Sequence, residues 1–335
     1  MNTRVSKLEK LLTVIVVAYN EEDHIAQCID SILNQSIAYP YDIVVVDDGS
    51  TDQTPNILKQ YQGSIKIIHT KNQGPSHARN LAVQSLQTPW LAFFDADAVL
   101  DHQCLEILFK HVQELEMAET VSFSIGGQQS VSPNAQKVEQ NTAAFLQSLS
   151  FVSDYLHESE TLKKVEHVPS CNVIYSRQSI LSLGGFDEKL WPCEDLDLDL
   201  RLKKKLGHQV FYCPKAKIFH RRPKTYLDLL KMFHRYGFGH GLLVKKHGLC
   251  QRLHFLPFLS VAVLLGLLVI GIQWLNTACL LIAGIFIFNF IFWLLRRKQL
   301  KESLLFSCLF ITCITVWNLG FGRAMFAQKT RFGHD

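Results

Sequence analysis

Short apolar runs rich in β-branched residues alternate with amphipathic runs of helical period along the first hundred residues. Residues 11–18 form such an apolar run and predict a buried strand. Asn20 is then the expected N-cap of a helix over 22–35, with Ile25, Cys28, Ile29 and Ile32 on one face. Residues 42–47 predict a second strand, 54–61 a helix, 65–69 a strand, and Pro75 the first turn of a further helix. Residues 90–94 are the next strand. Alternation of this kind with short connections predicts an α/β domain with a mostly parallel sheet and helices on both faces. Ligands then bind beyond the carboxyl ends of the strands.

Beyond residue 130 the pattern weakens. Residues 131–164 read as a helix with loops, 168–175 and 215–219 as strands, and 183–187 as a turn. A helix over 194–205 has acidic residues in its first turn, Lys203 to Lys205 in its last, and Gly207 as C-cap. Asp197 and Asp199 then read as solvated helix residues. Residues 226–247 set Leu227, Leu230, Phe233 and Phe238 against Lys231, His234, Arg235, Lys245 and Lys246. That pattern suits a helix on an anionic membrane surface, and equally an ordinary surface helix.

Three apolar blocks follow at 255–275, 277–295 and 303–320, each near the roughly 20 residues that span a bilayer. The expected organisation is a catalytic domain over 1–225, an interfacial segment over 226–252, a membrane domain of about three helices over 253–322, and a tail over 323–335. The basic loop at Arg296, Arg297, Lys298 and Lys301 is expected on the cytoplasmic side. The third block then carries Arg323, Lys329 and Arg331 to the other side, against the same rule.

Composition adds three constraints. Hydrophobic residues make up 48%, and the mean hydropathy of +0.09 reflects an excess concentrated after Leu253. A net charge of +4 is too mild to imply nucleic acid. The nine cysteines show no paired spacing, as expected of reduced thiols without a disulfide framework or zinc site. The polar residues 1–10 lack the apolar core of a signal peptide, which predicts an inner (cytoplasmic) membrane protein with its catalytic half in the cytoplasm.

The candidate chemistry lies at the strand ends. Asp95 and Asp97 stand one residue apart, so on a strand both face the same side. Two hard oxygen ligands suit Mg²⁺ or Mn²⁺ on a substrate phosphate, although a bare pair is more often a surface turn, and only the company of the other motifs reverses that. Tyr19 and Asn20, Asp47 and Asp48, and Asp95 and Asp97 all fall at carboxyl ends and would share one rim.

Taken in order, Tyr19-Asn20-Glu21, Asp47-Asp48-Gly49-Ser50-Thr51-Asp52, Gly74-Pro75-Ser76-His77-Ala78-Arg79-Asn80, Phe94-Asp95-Ala96-Asp97, Gly184-Gly185-Phe186-Asp187-Glu188 and Glu194-Asp195 resemble glycosyltransferase family 2. These are inverting enzymes of the GT-A nucleotide-diphospho-sugar transferase fold, and the likeness covers roughly residues 11–223. Phe233 to Gly239, followed by membrane helices, is similar to the subgroup that builds exopolysaccharides of the succinoglycan type. The resemblance implies a nucleotide-sugar donor, UDP by default, and Mn²⁺ or Mg²⁺. The apolar helices would hold the site near the headgroups, so the expected acceptor is a membrane-held or lipid-linked saccharide with membrane lipid as a partner, and the mild net charge predicts no nucleic acid.

By the same resemblance Asp97 is the direct metal ligand, Asp95 contacts the ribose or the metal shell, and His220 completes the metal or diphosphate site. Asp48 binds the nucleobase edge, Asp47 supports it, Tyr19 stacks on or flanks the base beside Asn20 and Glu21, and Arg79 lies on the diphosphate or nucleotide side. Asp195 is the base and Glu194 orients the acceptor or the loop. The plainer alternatives are an Asx turn at Asp47 and Asp48, core packing of Tyr19, a solvated Arg79, a helix N-cap at Asp195 and a lone structural histidine at 220. Two other functions stand beside this one, a sugar nucleotidyltransferase and a non-catalytic membrane scaffold. The chain lacks a Gln-x-x-Arg-Trp motif, so processive polymerisation is not expected.

Overall fold

The computed structural model describes residues 10–118, 122–149, 161–297 and 299–327. The N-terminal residues 1–9, Lys298, Lys329 and Arg331, and residues 119–121 and 150–160 of the less legible middle region, lie outside it. The chain divides into two compact units between Arg222 and Pro223, and each is described by itself.

In the first unit the described strands form one nine-stranded sheet. β1 (Leu12–Ala18) is the hub of its first half, pairing in parallel with β2 (Tyr41–Asp47) and β4 (Trp90–Asp95), while β3 (Lys66–His69) extends β2. The register sets Ala18 opposite Asp47 and Val17 opposite Asp95, so three strands end level on one rim. These strands are continuous apolar runs because both faces are covered. Val14, Val16, Val45 and Phe94 join one core cluster with Ile25, Cys28 and Ile29 of α1 (Ile25–Leu33) and Leu105 and Leu108 of α4 (Cys104–Ala118). Ile15, Val44, Val46 and Phe93 point the other way, to Ala78 and Ala82 of α3 (Pro75–Ser85) and Leu198 and Leu202 of α7 (Glu194–Leu206). Between α1 and α3 lies the short α2 (Thr54–Lys59).

The second half of the sheet is mixed, which corrects the expectation of a mostly parallel one. β8 (Asn172–Ser176) runs antiparallel to β4, and β6 (Phe123–Ser130) antiparallel to β8. β9 (Gln209–His220) is parallel to β6, and β5 (Ala98–Leu100) and β7 (Lys163–Val165) are antiparallel to β9. The order β3-β2-β1-β4-β8-β6-β9-β5 leaves the strand–helix alternation after β4. α5 (Lys137–Ser148) and α6 (Arg177–Ser182) complete the described helices of this unit.

Two local expectations change. α1 begins at Ile25, because residues 21–24 form a turn in which Ile25 N–H reaches the Glu21 carbonyl at 2.9 Å. Asn20 is therefore not its N-cap. It takes a left-handed φ of 55°, which Asn tolerates, and its Oδ1 accepts from Thr51 N–H at 2.8 Å. α7 does end on left-handed Gly207, as expected.

In the second unit α8 (Tyr226–His247) is capped by Thr225, whose Oγ1 accepts from Asp228 N–H at 3.1 Å. α9 (Leu256–Gln273), α10 (Leu275–Arg297) and α11 (Leu300–Phe326) follow. Three helical segments, Arg252–Ile272, Leu275–Arg297 and Leu300–Phe326, are long and apolar enough to cross a membrane. Asn289 donates to the Ser307 carbonyl at 3.2 Å and Asn318 to Ser260 Oγ at 2.8 Å, polar ties suited to an apolar surround. α8 packs on α11 through Gly237, Gly241 and Gly320, a face that the amphipathic reading did not anticipate. A Cβ on Gly237 would overlap the Trp317 carbonyl, and one on Gly320 the His234 carbonyl.

Candidate active site

The sheet register gathers the predicted residues at the carboxyl ends of β1, β2 and β4. Asp47 closes β2, where its Oδ1 accepts from Ser50 N–H at 3.0 Å and its Oδ2 lies 3.0 Å from His69 Nδ1. Asp48 is buried and accepts from Gln73 N–H at 3.1 Å and Gly74 N–H at 2.7 Å. Both aspartates thus also build the turn that the plainer reading proposed. Burial raises the Asp48 carboxyl against the pull of those two N–H groups. Tyr19 is half-exposed beside Asn20. Burial, with Asp97 and Asp95 adding to it, pushes Glu21 up to about 7.

Asp95 ends β4, whereas Asp97 lies in the turn to β5. Strand alternation therefore does not align the two carboxylates; the turn does. They converge on His220 at the end of β9, with Nε2 3.3 Å from Asp97 Oδ1 and 3.5 Å from Asp95 Oδ2. His220 Nδ1 lies 2.9 Å from the Arg221 carbonyl, which fixes it as the donor and turns Nε2 toward the carboxylates. That Nε2 is buried and makes no hydrogen bond. A buried ring nitrogen facing two carboxylates without a hydrogen bond is a donor set that a divalent cation fits, and the two carboxylates suit Mn²⁺ or Mg²⁺. Cys171, which the sequence did not point to, stands beside them: ligand atoms of Asp95, Cys171 and His220 lie within 4.8 Å of one another. Burial raises that thiol well above its ordinary range.

The other half of the site comes from α7. Arg79 is not solvated; it is buried, donating through Nη1 to Glu194 at 2.7 Å and through Nη2 to Asp95 at 3.3 Å. Burial pushes the Glu194 carboxyl up to about 7, against the pull of the Arg79 guanidinium. Asp195 sits in the first turn of α7 but is not its N-cap, which is Cys193. Its Oδ2 accepts from Ser170 N–H at 3.1 Å.

Asp197 and Asp199 are both fully buried, contrary to the solvated reading. Asp197 accepts from Arg201 Nε at 2.7 Å, and Arg201 donates onward to the carbonyls of Leu183 and Gly185. Asn80 grips the same turn, donating to the Phe186 carbonyl at 2.9 Å and accepting from Phe186 N–H at 2.8 Å. Gly185 has a φ of 86°, and a Cβ there would strike Asn80 Oδ1. Arg201 and Asn80 thus fasten the glycine turn to α3 and α7. Asp199 bonds His167 and Tyr175. Nothing in the local sequence pattern separated these buried charges from an ordinary solvated helix face.

The family model described as Glycosyl transferase family 2 matches residues 13–184. The minor teichoic acid biosynthesis protein GgaA of Bacillus subtilis is 26% identical over 227 residues, 64% of this chain and 48% of that protein. The teichoic acid poly(glycerol phosphate) polymerase of Staphylococcus epidermidis is 40% identical over 91 residues, 26% of this chain and 12% of that one. The chain thus spans less than half the length of either relative. Among solved structures, the mannosyltransferase PcManGT from Pyrobaculum calidifontis, in complex with GDP-Man and Mn2+, matches with a TM-score of 0.63. The match covers 93% of this chain and 88% of that one at 18% identity, a likeness of fold.

Proposed function

The chain belongs to glycosyl transferase family 2, and we propose that it is an inverting glycosyltransferase acting on a membrane-held or lipid-linked saccharide. Its donor is a nucleotide-sugar, UDP-linked by default, and its product enters a cell-surface polysaccharide or glycolipid. The observation that carries this reading is the Arg79 bridge, which joins the Asp95 end of β4 to the Glu194–Asp195 end of α7 in one site. The teichoic acid relatives support the polysaccharide context.

On the donor side, Tyr19 flanks the base, Asn20 and Glu21 line the nucleotide, Asp48 meets the nucleobase edge and Asp47 supports it. Arg79 serves the diphosphate side. Asp97, Asp95 and His220 would hold Mn²⁺ or Mg²⁺, with Asp97 as direct ligand. When bound, that cation offsets the charge that develops on the departing nucleoside diphosphate.

On the acceptor side, Asp195 takes the hydroxyl proton as the acceptor oxygen bonds to the anomeric carbon. The bond from that carbon to the diphosphate oxygen breaks, and its electron pair leaves with the nucleotide. Attack from the opposite face inverts the anomeric centre. Glu194 keeps the acceptor loop oriented. The three apolar helices tether the enzyme in the membrane, with the catalytic unit on the cytoplasmic face.

The test is nucleoside diphosphate release by the purified full-length chain from UDP-glucose, UDP-galactose, UDP-N-acetylglucosamine and GDP-mannose, with Mn²⁺ or Mg²⁺ and a membrane lipid extract. Consumption of one donor, abolished by EDTA, is expected. Binding without consumption would favour the scaffold reading instead.

A further inference from the structure

We propose that His167 is a positioning residue for Asp195: gripped from behind by Asp199, it presents its second ring nitrogen to Asp195 and holds that carboxylate oriented. The inference rests on the reading of Asp195 as the base. His167 Nδ1 lies 2.7 Å from Asp199 Oδ2, and since an ionised carboxylate only accepts, Nδ1 is the donor. Nε2 then faces Asp195, 3.8 Å from Oδ2. Asp199 is fully buried, and its other oxygen accepts from the equally buried Tyr175 hydroxyl at 2.7 Å.

Asp195 and Asp199 are four residues apart on α7 and so share a helix face. One imidazole is therefore clamped between two carboxylates of the same helix, while Ser170 N–H restrains Asp195 from the other side. Among the described residues, the charged groups acting on His167 are Asp195, Asp199 and Lys203, and the Lys203 ammonium is tied to Glu166 at 2.6 Å. Burial disfavours the imidazolium, but Asp195 and Asp199 outweigh it, and His167 is raised above its ordinary value. The imidazole on one side and Ser170 N–H on the other thus hold the Asp195 carboxylate in place to receive the acceptor proton.

The test uses the full chain in detergent and ring-proton NMR of ¹³C-labelled histidine, with the His167 signal assigned by its loss in His167→Gln. In Asp195→Asn the His167 titration midpoint should fall by about one pH unit. In His167→Gln, kcat measured with the donor consumed in the panel above should fall about tenfold while the donor KM stays unchanged. A midpoint unmoved by Asp195→Asn overturns the inference, and does so even if that variant is inactive. Turnover retained in Asp195→Asn overturns the underlying reading of the base, whatever the midpoint does.

Discussion

Arg79 of α3 and Glu194 of α7 form a buried ion pair, Nη1 to Oε1 at 2.7 Å, across 115 residues of chain. Each is at most 7% exposed at its side chain, and Arg79 also reaches Asp95 at 3.3 Å, so one buried guanidinium serves two carboxylates. Breaking such a pair from one side leaves an uncompensated buried charge.

Arg79→Met should therefore lower stability by about 3 kcal/mol. The double variant Arg79→Met/Glu194→Gln should lose less, because the buried Glu194 carboxylate is then gone and Asp95, the other partner of Arg79, still faces His220. Denaturant unfolding of the three proteins checks this. Equal losses in the single and double variants would mean that Arg79 matters through its packing alone.

The cation reading makes His220 matter through affinity. His220→Ala should raise the Mn²⁺ concentration needed for half-maximal nucleoside diphosphate release by about tenfold or more. A Mn²⁺ titration of wild type and variant reads this directly. An unchanged midpoint would remove His220 from the ligand set.

His208 gives a pH dependence of stability. Its ring nitrogens lie 2.7 Å from Ser122 Oγ and 3.0 Å from Ser124 Oγ, and burial pulls it down to about 4. The unfolded chain takes up that proton near pH 6.5, the folded one only near 4. Stability is therefore complete above pH 6.5 and falls as pH drops toward 4, by about 3 kcal/mol. His208→Gln should flatten this slope when unfolding is followed between pH 4 and 7.

The glycines of α8 and α11 are structural. Gly237→Ala places a methyl group on the Trp317 carbonyl and should destabilise the full chain in detergent by about 2 kcal/mol. Gly266→Ala on α9 meets nothing within 4 Å and should cost nothing. Thermal unfolding of both variants separates a local clash from a general effect of adding a methyl group in an apolar helix.

The first half of the sheet was legible because its strands are dense β-branched runs between periodic helices. The stop of α7 at Gly207 was legible because it needs a left-handed residue. The antiparallel return of β8 was not, since an apolar run carries no sign of its direction. Asn20 looked like a cap because the residue type suits one, but its φ of 55° serves a turn held to Thr51. Asp197 and Asp199 looked solvated because their partners, Arg201 apart, come from elsewhere in the chain. Asp95 and Asp97 were found for a reason that does not hold, strand alternation, while the turn after β4 brings them to His220. Gly237 and Gly320 lay in runs whose charge pattern drew attention away from close helix packing.

The most direct measurement of the central claim compares donor binding with turnover in Asp195→Asn, in the full chain with Mn²⁺. The donor Kd should stay within about twofold of wild type and turnover should fall by about a thousandfold, as befits loss of a general base. Turnover retained within about tenfold would contradict it.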